Sequence, residues 1–222
     1  YTIYVMIMNC LDNNMYIFGG ESSTLMNDLY KMDSEGTAVT ITLSGHLPLG
    51  TGFHTMVAIG DAIYIFGGLH DLYWSTTGDL FKIDTTNETS EKITLSGDKP
   101  SPRYNHTMVV IGDYIYIFGG YTQDPSGNLN DLYKIDTINK TSTKIDLSDD
   151  IPSPRQHHTM VVIDGNIYIF GGEQNGDARN DLYKIEFVDV LNIAYLKLYD
   201  SLKTPEELTT IYTLHSDEFL TQ

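Results

Sequence analysis

The chain has 222 residues, of which 41% are hydrophobic and 19% charged, so its composition supports a folded core and excludes a disordered chain. The formal net charge of −17 disfavours nucleic acid and anionic membrane surfaces as partners. Cys10 is the single cysteine, which excludes an internal disulfide and favours a reducing, cytoplasmic compartment, with secretion left open.

The apolar stretch YTIYVMIMNCL at residues 1–11 is too short for a membrane span and lacks the basic flank of a signal peptide. It aligns with the first strand of a repeated unit, and we interpret it as such a strand. The clearest copy of that unit, HTMVVIGDYIYIFGG, begins at His106, with near-copies beginning at His54 and His158. Repetition at a fixed spacing is typical of structural units that stack on one another, which indicates architecture rather than one catalytic centre.

Each unit reads as four short antiparallel strands in one twisted sheet. In the copy at His106, the two-residue turn GD joins the strand HTMVVI to the strand YIYIF, in which Tyr and Ile alternate between two faces. The paired glycines GG end that strand and permit positive φ and close backbone approach. The segments DLYKIDT and TKIDLS then provide the third and fourth strands.

The same order recurs in four units, with approximate bounds 1–45, 46–97, 98–149 and 150–186. A diglycine and a third strand beginning with Asp-Leu recur in every unit. The fourth unit has no counterpart of the KITLS strand, so we predict that it is incomplete.

The repeat pattern is lost in residues 187–222, which we predict to be a helical tail. Leu191, Ala194, Tyr195, Leu198 and Leu202 fall at helical spacing. A second helix is indicated from Thr204, with Pro205 in its first turn and two glutamates at its positive end. We expect the apolar stripe of such a tail to be buried in one of three ways. It fills the centre of the fold, covers the edge of the fourth unit, or docks on another protein or domain.

Diglycines at a period near 50, preceded by PSPR and a histidine and followed by NDLY, resemble kelch repeats. The resemblance covers residues 1–186 and implies an all-β fold, a β-propeller of four four-stranded blades. It departs from the family at Ile41, Ile93 and Ile145, where the family usually carries Trp, at Thr51 in place of Arg, and at Met6 in place of His. Because kelch propellers more often have five to seven blades, three alternatives stay open: a small ring, an open ring, or missing blades.

We interpret the residues that recur in register as structural. They are Gly19, Gly20, Gly67, Gly68, Gly119, Gly120, Gly171 and Gly172, the histidines His54, His106 and His158, and the aspartates Asp28, Asp79, Asp131 and Asp181. A metal site formed by the three histidines is disfavoured, since no cysteine or acidic cluster lies beside them at ligand spacing.

Loops that follow the diglycines differ between units and are predicted to share one face with the crossovers between blades. The partner-binding candidates are His70, Tyr73, Trp74, Arg103, Tyr121, Gln123, Asp124, Arg155 and Gln174. Trp and Tyr are common interface anchors, although Tyr73 and Trp74 have an equal alternative as packing residues against the neighbouring blade. For Arg103 and Arg155 the alternative is pairing with Asp131 or Asp181 or with backbone carbonyls.

The sequence lacks enzyme motifs, and we expect neither catalysis nor a cofactor nor a metal. The resemblance implies a noncatalytic interaction module or scaffold that binds protein partners through its loop face, as substrate adaptors of ubiquitin ligases and cytoskeletal linkers do. Two alternatives remain: a structural subunit of a larger assembly docked through the tail, and a propeller that binds a glycan or small ligand or carries an oxidase-type copper site.

Overall fold

The computed structural model describes residues 7–11, 13–20, 24–70, 75–147, 151–188 and 193–199. Every regular element within these ranges is a β-strand, which confirms the all-β class. No helix long and apolar enough to cross a membrane occurs in this part of the chain.

Four antiparallel sheets form the described blades, and each runs in chain order from an innermost to an outermost strand. Blade 1 comprises Ile7–Leu11, Asn14–Phe18, Leu29–Met32 and Ala38–Ile41. Blade 2 comprises Thr55–Ile59, Ala62–Phe66, Leu80–Asp84 and Thr89–Ile93. Blade 3 comprises Thr107–Ile111, Tyr114–Phe118, Leu132–Asp136 and Thr141–Ile145. Blade 4 comprises Thr159–Ile163, Asn166–Phe170, Leu182–Val188 and Ile193–Tyr199.

Alternation of Tyr and Ile along the second strands explains how the blades stack. In blade 2, Ile63 and Ile65 pack on blade 1, whereas Tyr64 and Phe66 pack on blade 3. Each sheet therefore has two apolar faces and needs a neighbour on both sides, as the period of two predicts. The three hydrophobic clusters lie at the three junctions between consecutive blades.

The C-terminal part of blade 4 differs from the prediction. Residues 193–199, expected to be helical, form a strand that pairs antiparallel with Leu182–Val188 and completes the fourth sheet. The physical reason is the unpaired edge of Leu182–Val188, which a strand satisfies through backbone hydrogen bonds and a helix does not. In this segment Leu196 and Leu198 alternate with Tyr195, Lys197 and Tyr199, and this pattern competes with the helical spacing. The second predicted helix, from Thr204, lies outside the described residues.

Blades are also tied together by the segments that leave them. Ser44–Gly45 pairs in parallel with the outermost strand of blade 2, and Ser96–Gly97 pairs in the same way with that of blade 3. Innermost strands pack on one another from blade 1 through to blade 4. Within the described strands no comparable packing joins Thr159–Ile163 to Ile7–Leu11.

Candidate binding surface

Loops after the diglycines and the crossover segments lie together at one end of the blades. In blades 2, 3 and 4 the loop folds into a short hairpin, and these hairpins comprise Leu69–His70 with Ser75–Thr76, Tyr121–Gln123 with Ser126–Asn128, and Glu173–Gln174 with Asp177–Ala178. Each hairpin pairs with the crossover of its own blade, through Thr51–Gly52, Tyr104 or Gln156. The predicted shared face is therefore present.

Three residues at equivalent points of the crossovers adopt a left-handed backbone. Phe53, Asn105 and His157 have φ values of 60°, 53° and 56°, and each immediately precedes the buried histidine of its blade. The Asn105 N–H donates to the Phe53 carbonyl at 3.1 Å, and the His157 N–H donates to the Asn105 carbonyl at 3.2 Å. Positive φ in residues other than glycine is uncommon and is stabilised here by a hydrogen-bonded series that crosses three blades.

Aromatic rings lie beside this series. The Tyr104 ring lies 6.3 Å from that of Phe53 and 5.5 Å from that of Tyr121, measured between centroids. Burial, with a smaller contribution from Tyr121, raises the pKa of Tyr104. All three side chains are half-buried, so each presents part of its ring to a partner while the rest is held in place.

A polar network continues the surface across blades 3 and 4. Asn105 Nδ2 donates to Gln156 Oε1 at 3.0 Å, and Gln156 Nε2 donates to Glu173 Oε1 at 2.8 Å. His157 Nδ1 lies 3.4 Å from the same carboxylate oxygen. The loop surface is defined by these residues and the three rings, namely Phe53, Tyr104, Asn105, Tyr121, Gln156, His157 and Glu173.

Several predicted binding residues lie on or beside the loop surface. Tyr121 belongs to it, and His70, Gln123, Asp124 and Gln174 lie on the hairpins around it. Gln123 Oε1 accepts the Thr76 N–H at 3.1 Å, which links the hairpins of blades 2 and 3. Tyr73 and Trp74 lie outside the described residues.

Arg103 and Arg155 were binding candidates, but both guanidinium groups are fully buried. Each donates to the aspartate that opens the third strand of its blade, with 2.6 Å from Nη1 to Asp131 or Asp181. Nη1 also donates to the carbonyl of Gly119 or Gly171. Both arginines therefore lie where a partner does not reach them, and the structural alternative describes their contacts.

The repeated histidines lie inside the junctions between blades. His106 Nε2 is hydrogen-bonded to Thr55 Oγ1 of the preceding blade, and His158 Nε2 to Thr107 Oγ1 at 2.7 Å. Burial lowers the pKa of His54 to about 4 and, with Arg155, that of His158 to about 3, so both rings are neutral at pH 7. Within the described ranges, no group of three or more His, Cys, Asp or Glu residues is placed to hold a metal ion.

Most of the loop surface was missed in the sequence. Phe53, Tyr104, Asn105, Gln156 and His157 occupy the positions just before the repeated histidine in TGFH, RYNH and RQHH. A signal was available, because these positions vary between repeats whose flanking residues are nearly constant. Variation inside a constant frame is typical of positions that face a ligand rather than a neighbouring blade.

A separate cleft of about 600 Å³ lies between the outer parts of blades 3 and 4, at the opposite end from the loop surface. Tyr114, Tyr116, Lys134 and Phe187 line it, together with polar residues of the outermost strand of blade 3. Its lining is mixed, apolar and charged.

Comparison with known proteins places these features in a family. Residues 53–207 match the model of the KLHDC2/KLHL20/DRC7 Kelch-repeats domain. Kelch domain-containing protein 3 of Homo sapiens is 26% identical over 208 residues, which cover 89% of this chain and 54% of that protein. Tip elongation aberrant protein 1 of Schizosaccharomyces pombe is 31% identical over 177 residues, covering 76% of this chain and 15% of that protein.

The chain is also similar to a protein that is named as an enzyme. N-(sulfonatooxy)prop-2-enimidothioate sulfolyase of Thlaspi arvense is 30% identical over 175 residues, covering 77% of this chain and 47% of that protein. The chain spans about half, or less, of the length of these relatives. The family model covers most of the chain, and the matched residues include the described strands of blades 2, 3 and 4. The chain belongs to the kelch-repeat family, whose fold is the β-propeller.

Proposed function

We propose that the chain is a noncatalytic interaction module that binds a protein partner through the loop surface. The main support is that Phe53, Asn105 and His157 share one backbone conformation and one hydrogen-bonded series, whereas their side chains differ. The repeats supply a rigid frame and the side chains supply recognition, as in other repeat proteins. Family membership supports a protein as the class of partner.

The charge of the chain favours a basic partner. Its formal net charge is −17, and Glu173, Asp124 and Asp177 lie on or beside the loop surface. Complementary charge accelerates encounter and contributes to specificity, and the effect weakens with salt. We therefore expect association to slow as salt is raised from 50 to about 500 mM, where the Debye length falls to roughly 4 Å.

Substitutions to glycine test the surface without disturbing its backbone, because glycine accepts the left-handed φ that Asn105 and His157 adopt. An Asn105→Gly, His157→Gly variant is used as bait in a quantitative pull-down beside the wild-type chain. Ile138→Ser is the matched control, since Ile138 is exposed at the opposite end of blade 3. Proteins retained by the wild type and the control but lost by the double variant support the proposal. Identical recovery with all three baits contradicts it.

The noncatalytic part of the proposal is supported by the position of the histidines, which are buried in blade junctions and hydrogen-bonded there. Elemental analysis of the purified chain tests it, and less than about 0.1 equivalent of copper or iron is expected. A stoichiometric transition metal would contradict the proposal and would favour an oxidase-type or sulfolyase-type site. A cytoplasmic location is proposed with it on the basis of the single cysteine.

A further inference from the structure

Buried arginines occupy equivalent sites in blades 3 and 4. Arg103 Nη1 and Nη2 donate to the two carboxylate oxygens of Asp131 at 2.6 and 3.1 Å, and Nη1 also donates to the Gly119 carbonyl at 3.0 Å. The guanidinium carbon lies 5.4 Å from the centroid of the Tyr133 ring. Arg155 makes the same three kinds of contact in blade 4. Each site therefore combines a carboxylate, a carbonyl and an aromatic ring around one guanidinium group.

Blade 2 carries the same three groups without the arginine. Asp79 precedes its third strand, Phe81 takes the position of the aromatic ring two residues later, and Gly67 is the first glycine of its pair. Thr51 stands where blades 3 and 4 have arginine, three residues before the buried histidine. Its hydroxyl donates to the Leu69 carbonyl at 3.1 Å. Among the described residues of blade 2, no arginine side chain therefore serves these acceptors.

A cavity of about 130 Å³ lies between these groups. The Asp79 carboxylate gives it a negative charge, and the Gly67 carbonyl accepts no hydrogen bond from any described residue. A planar cation with several N–H donors matches a carboxylate and a carbonyl beside an apolar ring. This blade-2 cavity is defined by Thr51, Ile65, Gly67, Thr77, Asp79 and Phe81.

The Asp79 carboxylate can be reached from solvent. Its side chain is 40% exposed, compared with 14% for Asp131 and 28% for Asp181. Lys92 Nζ lies 2.8 Å from Asp79 Oδ1, but the Lys92 side chain is 49% exposed, and such surface pairs contribute little stability. A guanidinium group engages both carboxylate oxygens, whereas an ammonium group acts as a point charge. A guanidinium group from solvent therefore gains contacts that Lys92 does not make.

We propose that the blade-2 cavity binds a guanidinium group supplied by another molecule. Two of its nitrogens donate to the Asp79 carboxylate, one of them also donates to the Gly67 carbonyl, and its carbon lies against the Phe81 ring. The group comes from an arginine side chain of a polypeptide or from a free guanidino compound. Because the net charge of −17 attracts every cation, the shape of the cation rather than its charge is what identifies the site.

A blocked arginine provides the probe. Nα-acetyl-L-arginine amide reproduces an arginine within a polypeptide, and Nα-acetyl-L-lysine amide carries the same charge without the planar fork. Each is titrated into the intact ¹⁵N-labelled chain, and the amide signals of Gly67, Thr77 and Asp79 are followed by NMR. Saturable binding of the arginine compound is expected, about tenfold tighter than that of the lysine compound. Tighter binding of free L-arginine than of the blocked form would assign the site to a small guanidino compound, and the reverse order to a polypeptide.

Two substitutions act on the cavity from opposite sides. Asp79→Asn keeps the shape and removes the charge, and it is expected to weaken binding of the arginine probe about tenfold or more. Thr51→Arg supplies an internal guanidinium group, as in blades 3 and 4, and is expected to abolish binding. Asp61→Asn is the matched control, because Asp61 is an exposed carboxylate at the opposite end of blade 2. Dispersed amide signals of each free variant verify its fold, and Asp79→Asn against Asp61→Asn decides if Thr51→Arg does not fold.

Three outcomes overturn the proposal. The first is the lack of saturable binding of the arginine probe to the wild-type chain, and the second is equally tight binding of the lysine probe. The third is binding that survives Asp79→Asn in a folded chain. The Asn105→Gly, His157→Gly variant is expected to bind the arginine probe as the wild type does, so the loop-surface proposal and this one fail separately.

Discussion

The junction between blades 3 and 4 and the outward face of blade 4 carry nearly the same residues in different surroundings. At the junction, Phe118 is fully buried and Gly120 N–H is hydrogen-bonded to the next blade, whereas Phe170 is half-exposed and Gly172 N–H meets no such acceptor in the described residues. The difference shows that each repeat supplies one of the two packed faces of a junction, and that the next blade supplies the other. Because equivalent positions of blades 3 and 4 carry the same residue types, the same substitution in each blade measures how much the neighbouring blade contributes to the free energy of unfolding.

Acid is expected to have the largest effect, because it acts on all three internal junctions. Unfolded histidine titrates near 6.5, whereas burial lowers the pKa of His54 to about 4 and that of His158 to about 3 and places that of His106 well below the ordinary value. The unfolded chain therefore binds more protons, and stability falls as the pH drops below 6.5. His54 and His158 each contribute about 1.5 kcal/mol of loss between pH 6.5 and 5, and His106 contributes in the same direction. Urea unfolding across this range checks the prediction, and a flat profile contradicts it.

Removal of a ring compares the two faces next. Phe118→Ala is expected to lower the free energy of unfolding by about 3–5 kcal/mol, since the cavity forms in a packed junction. Phe170→Ala at the open face is expected to cost less than about 1 kcal/mol. Urea midpoints of both variants measure the difference, and equal costs would show that something covers Phe170 in the free chain.

Alanine substitutions of the first glycine in each pair extend the comparison between the junction and the outward face of blade 4. Gly119 and Gly171 have φ values of 62° and 68°, so alanine strains both backbones alike. A Cβ at Gly119 would lie 2.9 Å from the Arg155 carbonyl oxygen, but at Gly171 the nearest atom is the Arg179 carbonyl oxygen at 3.4 Å. We expect Gly119→Ala to cost about 1–3 kcal/mol more than Gly171→Ala in the same unfolding assay. A reversed order would contradict the described junction.

The smallest expected effect is that of a hydroxyl group. Thr107→Val leaves His158 Nε2 without its hydrogen-bond partner inside the junction, at a cost of about 1–2 kcal/mol. Thr159→Val removes an exposed hydroxyl and is expected to be nearly neutral. Thermal melting of the two variants side by side distinguishes them, and a loss with Thr159→Val equal to that with Thr107→Val counts against an open face.

The repeating part of the fold was predictable because its signals are local and occur several times. Turn residues, alternating Tyr and Ile, and paired glycines each determine a strand boundary or face on their own. The outermost strand of blade 4 was not predictable in this way. Residues 193–199 satisfy both a helical and an alternating pattern, and the choice depends on the unpaired edge of Leu182–Val188, which is a tertiary property.

The candidate site was predicted only in part for a related reason. Tyr121 was identified because variable loops after diglycines are easy to recognise, whereas Asn105 and His157 lie within the most constant segment of the repeat. Arg103 and Arg155 are predicted from charge to bind a partner, although their length and planar geometry suit the partly buried carboxylates of Asp131 and Asp181. Exposure decides between these roles, and exposure depends on the neighbouring blade.

Amide hydrogen exchange resolved at single residues tests the central claim most directly, because it compares equivalent backbone donors without any substitution. Gly20, Gly68 and Gly120 donate to the carbonyls of Thr51, Arg103 and Arg155, so their amides are expected to exchange slowly. Gly172 is expected to exchange at least a hundredfold faster in the isolated chain. Equal protection at Gly120 and Gly172 would contradict the account, because it would mean that the face of blade 4 is already covered.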